Sequence, residues 1–115
     1  MTINAVIIGG GIAGTLAAIA LQKVGVEATV YEEYSAESDG IGAFLTIAVN
    51  GLSALEPLGL SDTVGALGMP TRTMHLVTGR TGKVLGSTGM RARTLSRSDL
   101  YQALRNAAVE RGIQM

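Results

Sequence analysis

The chain has 115 residues, nine Lys or Arg against nine Asp or Glu, no cysteine, 47% hydrophobic residues and 3% aromatic ones. That is the length of one ordinary domain, with apolar mass enough for a core. It excludes intrinsic disorder, disulfides and a cysteine-built zinc site, and the balanced charge gives no support for nucleic acid or an anionic membrane as partner.

Asn4 to Ile8 read as a short apolar strand, Gly9 to Gly11 as a tight turn, and Ile12 to Val24 as a helix with Leu16, Ala17, Ala20, Leu21 and Val24 at helical spacing. Gly25 suits the left-handed residue that ends a helix. Val26 to Tyr31 is a second strand, with Val26, Ala28 and Val30 on one face and Glu32 continuing that face. Strand, turn, helix and strand within some 30 residues make a βαβ unit, whose strands are parallel.

Ser35 to Gly42 is expected to be a polar loop and Phe44 to Val49 a short extended piece. Asn50 is the predicted N-cap of a helix carrying Leu52, Leu55 and Leu58, shortened or kinked by Pro57. Ser61 is predicted to cap another short helix with Val64 and Leu67, stopped before Pro70. Thr73 to Leu85 read as a β-hairpin around a Gly79–Gly82 turn, Gly86 to Met90 as loop, and Thr94 and Leu95 as extended. Ser96 with Asp99 has the spacing of a capping box for a helix with Leu100, Leu104 and Ala107 or Ala108 inward, ended by Gly112. Ile113 to Met115 look like the start of a third parallel strand. No apolar run reaches the length of a membrane helix, and no basic residue precedes the first one, so the expectation is a soluble cytoplasmic protein.

Gly9-Gly10-Gly11-Ile12-Ala13-Gly14 is G-x-G-x-x-G, placed between a strand and a helix, and Glu32 follows Gly14 by 18 positions, near the expected spacing of about 20. Each glycine has a physical task. Gly9 turns the chain off the strand, Gly11 lets a pyrophosphate reach the backbone, and Gly14 lets helix and strand pack closely. The N–H groups of Ile12 and Ala13 at the helix start favour phosphate, and the Glu32 carboxylate would accept hydrogen bonds from an adenosine ribose while repelling a 2′-phosphate. This fingerprint serves FAD and NAD alike. His75, Ser87, Thr88 and Ser98 match no catalytic motif, and no residue is nominated as a catalytic acid, base or nucleophile. The basic run Arg91, Arg93, Arg97 reads either as a solvated strand face or as an attractor of cofactor phosphate or NAD(P)H.

Three stretches together resemble the FAD-dependent, aromatic-hydroxylase type (group A) flavoprotein monooxygenases: VIIGGGIAGTLAAIALQKVGVEATVYEE, GIGAFLTIAVNGLSALEPLGLSDTV and LSRSDLYQAL. The resemblance implies an incomplete Rossmann-like βαβ fold of the α/β class, with the hairpin at about 73–85 beginning a substrate-domain sheet. It implies that Arg97 reaches the FAD near its pyrophosphate and ribityl, and that the backbone around Gly42 and Ala43 approaches the flavin. For the intact enzyme it implies NAD(P)H as electron donor and a small aromatic or unsaturated substrate that is hydroxylated or epoxidised. Glu33 stands where the family often has Arg or Lys, and VNG where PNA is common. The family's later DG and GD-A-H segments do not occur, so the chain resembles the N-terminal third of such an enzyme, one that a complementary chain would complete. Two other readings stand beside it: a non-catalytic, truncated nucleotide-binding module, and an NAD-dependent oxidoreductase domain in which Arg97 plays no part.

Overall fold

A computed structural model describes residues 1–35 and 42–115; most of the predicted Ser35–Gly42 loop lies outside them. The elements are β1 (Asn4–Ile8), α1 (Ile12–Lys23), β2 (Glu27–Tyr31), β3 (Phe44–Ile47), α2 (Val49–Leu55) running into a 3₁₀ turn (Glu56–Leu58), α3 (Ser61–Gly65), β4 (Met69–Val77), β5 (Val84–Ser96) and α4 (Arg97–Glu110). This is the expected α/β class.

β1 and β2 are parallel, in register from Asn4 opposite Glu27 to Ile8 opposite Tyr31. Beyond β2, Thr29 bridges Gln114 in parallel, and the Val30 N–H donates to the Gln114 carbonyl at 2.8 Å. The anticipated third strand therefore begins at Gln114, on the far side of β2 from β1. Gly25 (φ +81°) and Gly112 (φ +75°) close α1 and α4 in the left-handed conformation that favours glycine.

The other sheet is antiparallel, in the order β3-β5-β4. Its hairpin is longer than predicted. β4 starts at Met69, and β5 includes the Gly86–Met90 stretch expected to be loop. That stretch has little strand propensity of its own; pairing with Thr73–Leu76 imposes the extended state. Pro70 is tolerated because β4 is an edge strand.

Two predicted caps differ. Ala48, not Asn50, is the N-cap of α2, and Leu60, not Ser61, that of α3; Asn50 and Ser61 lie inside the helices. Ser96 is the N-cap of α4 as expected, but its hydroxyl pairs with Ser98 Oγ at 2.7 Å and makes no capping bond.

One core joins the two sheets. α1 contributes Ala18 and Ile19, β2 Val30, the α2–α3 segment Leu55, Leu60 and Val64, β5 Leu95, and α4 Leu100, Leu104 and Ala108. Burying one such aliphatic side chain contributes about 1.5–3 kcal/mol. The buried stripe of α1 is Thr15, Ala18 and Ile19, rotated from the predicted one: Ala17 is exposed and Val24 is 74% exposed. Nearly every residue from Ile12 to Leu21 is apolar, so periodicity could not choose a face. The contact at Gly14 chooses it.

Candidate cofactor site

The predicted residues fall into two clusters joined by α4. The first is built on the glycine turn. Gly9 takes φ +101°, and its N–H donates to the Tyr31 carbonyl at 2.7 Å, tying the turn to the end of β2. Gly14 lies so close to the turn that a Cβ there would stand 1.8 Å from the Gly9 carbonyl oxygen. Gly11 is the opposite case: among the described residues no atom lies within 4 Å of the place its Cβ would take. It is the N-cap of α1, and the first bond of that helix runs from the Thr15 N–H to the Gly11 carbonyl at 3.0 Å. The N–H groups of Ile12, Ala13 and Gly14 therefore have no acceptor within the helix. Open space at Gly11, backbone donors without a helical acceptor and the positive end of a helix dipole fit a phosphate.

Glu32 is held against this turn. Its Oε2 accepts the Gly10 N–H at 2.6 Å and its Oε1 accepts the Tyr34 N–H at 2.9 Å. The Tyr34 bond, then the Gly10 bond, then the Glu33 N–H and the Arg105 charge hold the carboxyl below the ordinary glutamate range, against the opposing effect of burial. With three N–H groups on its roughly four acceptor sites, the carboxylate keeps a lone pair for an outside donor.

The second cluster is at the start of α4. The Arg97 N–H donates to the Ala43 carbonyl at 3.1 Å. A Cβ on Gly42 would meet Arg97 Cβ at 3.3 Å and Cδ at 3.4 Å, so the arginine stem lies across the bare Gly42 backbone. Among the described residues the Arg97 guanidinium makes no hydrogen bond or ion pair. Ala43 and Arg97, both expected from the resemblance, are thus neighbours. From Arg97, α4 runs to Arg105, whose charge acts on Glu32; eight residues of helix span about 12 Å.

The sequence matches the family described as FAD binding domain over residues 2–115. The chain belongs to this FAD binding domain family. An FAD-dependent urate hydroxylase of Mycolicibacterium vanbaalenii is 33% identical over 111 residues, covering 89% of this chain. Among solved structures, a tetrameric form of 2-methyl-3-hydroxypyridine-5-carboxylic acid oxygenase superposes with a TM-score of 0.81 at 33% identity over 98% of the chain. Klebsiella pneumoniae HpxO complexed with FAD and uric acid does so with a TM-score of 0.78 at 26% identity over 97% of it. The chain spans about 28% of the length of that curated relative and 30% of each of those two structures.

Three residues of this FAD binding domain escaped the sequence reading. Gly10 was only the x of the motif, yet it carries the Glu32 bond, and a Cβ on it would stand 3.1 Å from Glu32 Cβ. Thr15 is fully buried and its Oγ1 donates to the Gly10 carbonyl at 3.1 Å, which locks the turn. Arg105 donates to Tyr101 Oη at 3.3 Å. Its signal was present, since Arg97, Tyr101 and Arg105 recur every four residues along one side of a helix.

Proposed function

We propose that this domain holds FAD in an extended pose, with the pyrophosphate at the Gly9–Gly14 turn, the adenosine ribose on Glu32, and the flavin end at Gly42, Ala43 and Arg97. The open place at Gly11 and the free N–H groups of Ile12 and Ala13 would receive the phosphate oxygens. Gly9 and Gly14 shape the cradle rather than touch the ligand. The ionised Glu32, with a lone pair to spare, would accept a ribose hydroxyl and repel a 2′-phosphate. The Arg97 guanidinium would donate to cofactor oxygens, its stem fixed on Gly42. FAD, when bound, supplies the redox chemistry; the chain supplies binding, orientation and exclusion of water.

The observation that carries this reading is the second cluster. A dinucleotide fingerprint alone serves NAD as well as FAD. A guanidinium with no hydrogen bond or ion pair among the described residues, its stem seated on Gly42, would give a long cofactor a second anchor. We place the domain in an NAD(P)H-dependent flavin monooxygenase acting on a small aromatic or unsaturated molecule, as the urate and hydroxypyridine enzymes similar to it suggest. The β4–β5 hairpin would then begin a substrate-domain sheet. Among the described residues no helix is long and apolar enough to cross a membrane. A cytoplasmic setting fits the absence of cysteine.

A complementary layer of protein would complete the fold. Ile7 packs into the core, while Val6 and Ile8 on the opposite face of β1 are 67% and 82% exposed. Parallel sheets are covered on both faces, so this side calls for apolar cover.

The test is Arg97→Ala assayed against both dinucleotides. FAD affinity falls about tenfold or more, the worth of charge-assisted hydrogen bonds, and NAD affinity does not change. An unchanged FAD affinity would favour the NAD reading, or no dinucleotide at all.

A further inference from the structure

The balanced net charge hides a segregation. From Thr63 to Ser98 there are six basic residues (Arg72, Arg80, Lys83, Arg91, Arg93 and Arg97) and no acidic one. The fold gathers three of them. The β4–β5 register slips between Thr71 opposite Ala92 and Thr73 opposite Gly89, so Arg72 alone faces both Met90 and Arg91. Such a bulge bends the strand and re-aims side chains. Here it sets Arg72, Arg91 and Arg93 around one pocket of about 250 Å³, with Leu52, Pro70 and Met90 among its walls.

Arg93 is fixed in place, its Nε donating to the Leu67 carbonyl at 3.1 Å. Among the described residues the guanidiniums of Arg72 and Arg91 make no hydrogen bond or ion pair. No carboxylate lines the pocket. Three arginines on one lining, with no carboxylate beside them, raise the local positive potential, which an anion would lower.

We propose that this pocket binds the phosphate ester or diphosphate of a small molecule. Charge and geometry select the ligand. One carboxylate would leave two of three positive charges unmatched, whereas a phosphate ester or diphosphate carries two or more negative charges. Guanidinium forks match phosphate oxygens two at a time. The volume admits a phosphate or diphosphate group, and the rest of a larger ligand would lie outside it. Arg91 precedes Arg97 by six residues of mostly extended chain, about 20 Å. The site is therefore separate from the proposed FAD cradle and does not depend on that reading.

The test is a titration of the isotope-labelled chain in phosphate-free, low-salt buffer. The probes are inorganic pyrophosphate, NADH, NADPH and benzoate, followed by the arginine Nε–H resonances and by the amides of Met90 to Arg93. Saturable shifts confined to Arg72 and to Met90–Arg93 are expected with pyrophosphate. Arg72→Gln with Arg91→Gln should weaken them about tenfold or more. Arg91→Lys, which keeps the charge and loses the fork, should fall between. FAD titration of the same variants should not change. NADPH well above NADH would identify a terminal phosphate as the source, and equal affinities a diphosphate. Shifts spread evenly over Arg80, Lys83 and Arg97, benzoate binding as tightly as pyrophosphate, or variants that bind as the parent does would each overturn the proposal.

Discussion

Gly14→Ala inverts the usual rule for a glycine inside a helix. At an exposed helical site this change stabilises by up to about 1 kcal/mol, because alanine loses less backbone freedom. Here the new methyl would stand 1.8 Å from the Gly9 carbonyl oxygen and 3.3 Å from Ile7 Cγ2. An ordinary contact is about 3.5 Å, so α1 must retreat from the turn by about 1.7 Å. That retreat loosens Ala18 and Ile19, which α1 buries in the core. Overpacking of this kind costs about 3 kcal/mol. Set against the helical gain, the net loss is about 2 kcal/mol, a fall in Tm of about 10 °C for a chain of this size. Urea unfolding followed by far-ultraviolet circular dichroism measures it, with Gly11→Ala alongside. Gly11 has φ −70° and open space at its Cβ position, so that variant should lie within about 1 kcal/mol of the parent. A Gly14→Ala chain as stable as the parent, or more so, would refute the argument that this glycine sets the seat of α1.

Other outcomes follow from the same geometry. Leu104→Ala, at a side chain 1% exposed in the shared core, should cost about 2–5 kcal/mol in the same urea experiment. The depressed carboxyl of Glu32 adds stability that is fully present above about pH 4.3 and is lost as pH falls through its lowered folded value. Glu32→Gln should therefore be less stable than the parent at pH 7, and the gap should close in acid; a gap independent of pH would show that the charge is not what the two N–H groups hold. Gly68→Ala combines φ +63° with a Cβ placed 2.1 Å from the Thr94 carbonyl oxygen, so it should disturb the entry to β4 and lower Tm, whereas Gly79→Ala, with open space and an ordinary φ, should not.

The β1–α1–β2 unit was legible because three signals coincide: an apolar run, glycines where the chain must turn, and an acid at the second strand's end. α4 was legible because its polar residues mark its outer face, leaving Leu100, Leu104 and Ala108 as the buried stripe. α1 has no such marking; the near contact of Gly14 with Gly9 and the Thr15 bond to the Gly10 carbonyl fix its rotation. Gly86–Met90 offered no strand signal, since its extended state comes from a partner strand rather than from its own residues. At the site, the sequence pointed to Glu32 but not to what holds it. Its bond to Gly10 joins residues 22 positions apart and exists only once β1 and β2 lie side by side.

The most direct measurement is a titration of the chain with FAD, read as quenching of flavin fluorescence, with NAD as competitor and Gly11→Val as control. The Gly11 position is open in the structure, so valine there fills the cradle without touching the core. The account predicts saturable FAD binding, weak displacement by NAD, and no binding by a Gly11→Val chain that melts as the parent does. A folded chain that does not quench FAD, or whose Gly11→Val variant binds FAD as the parent does, would contradict the claim that this turn is the FAD cradle.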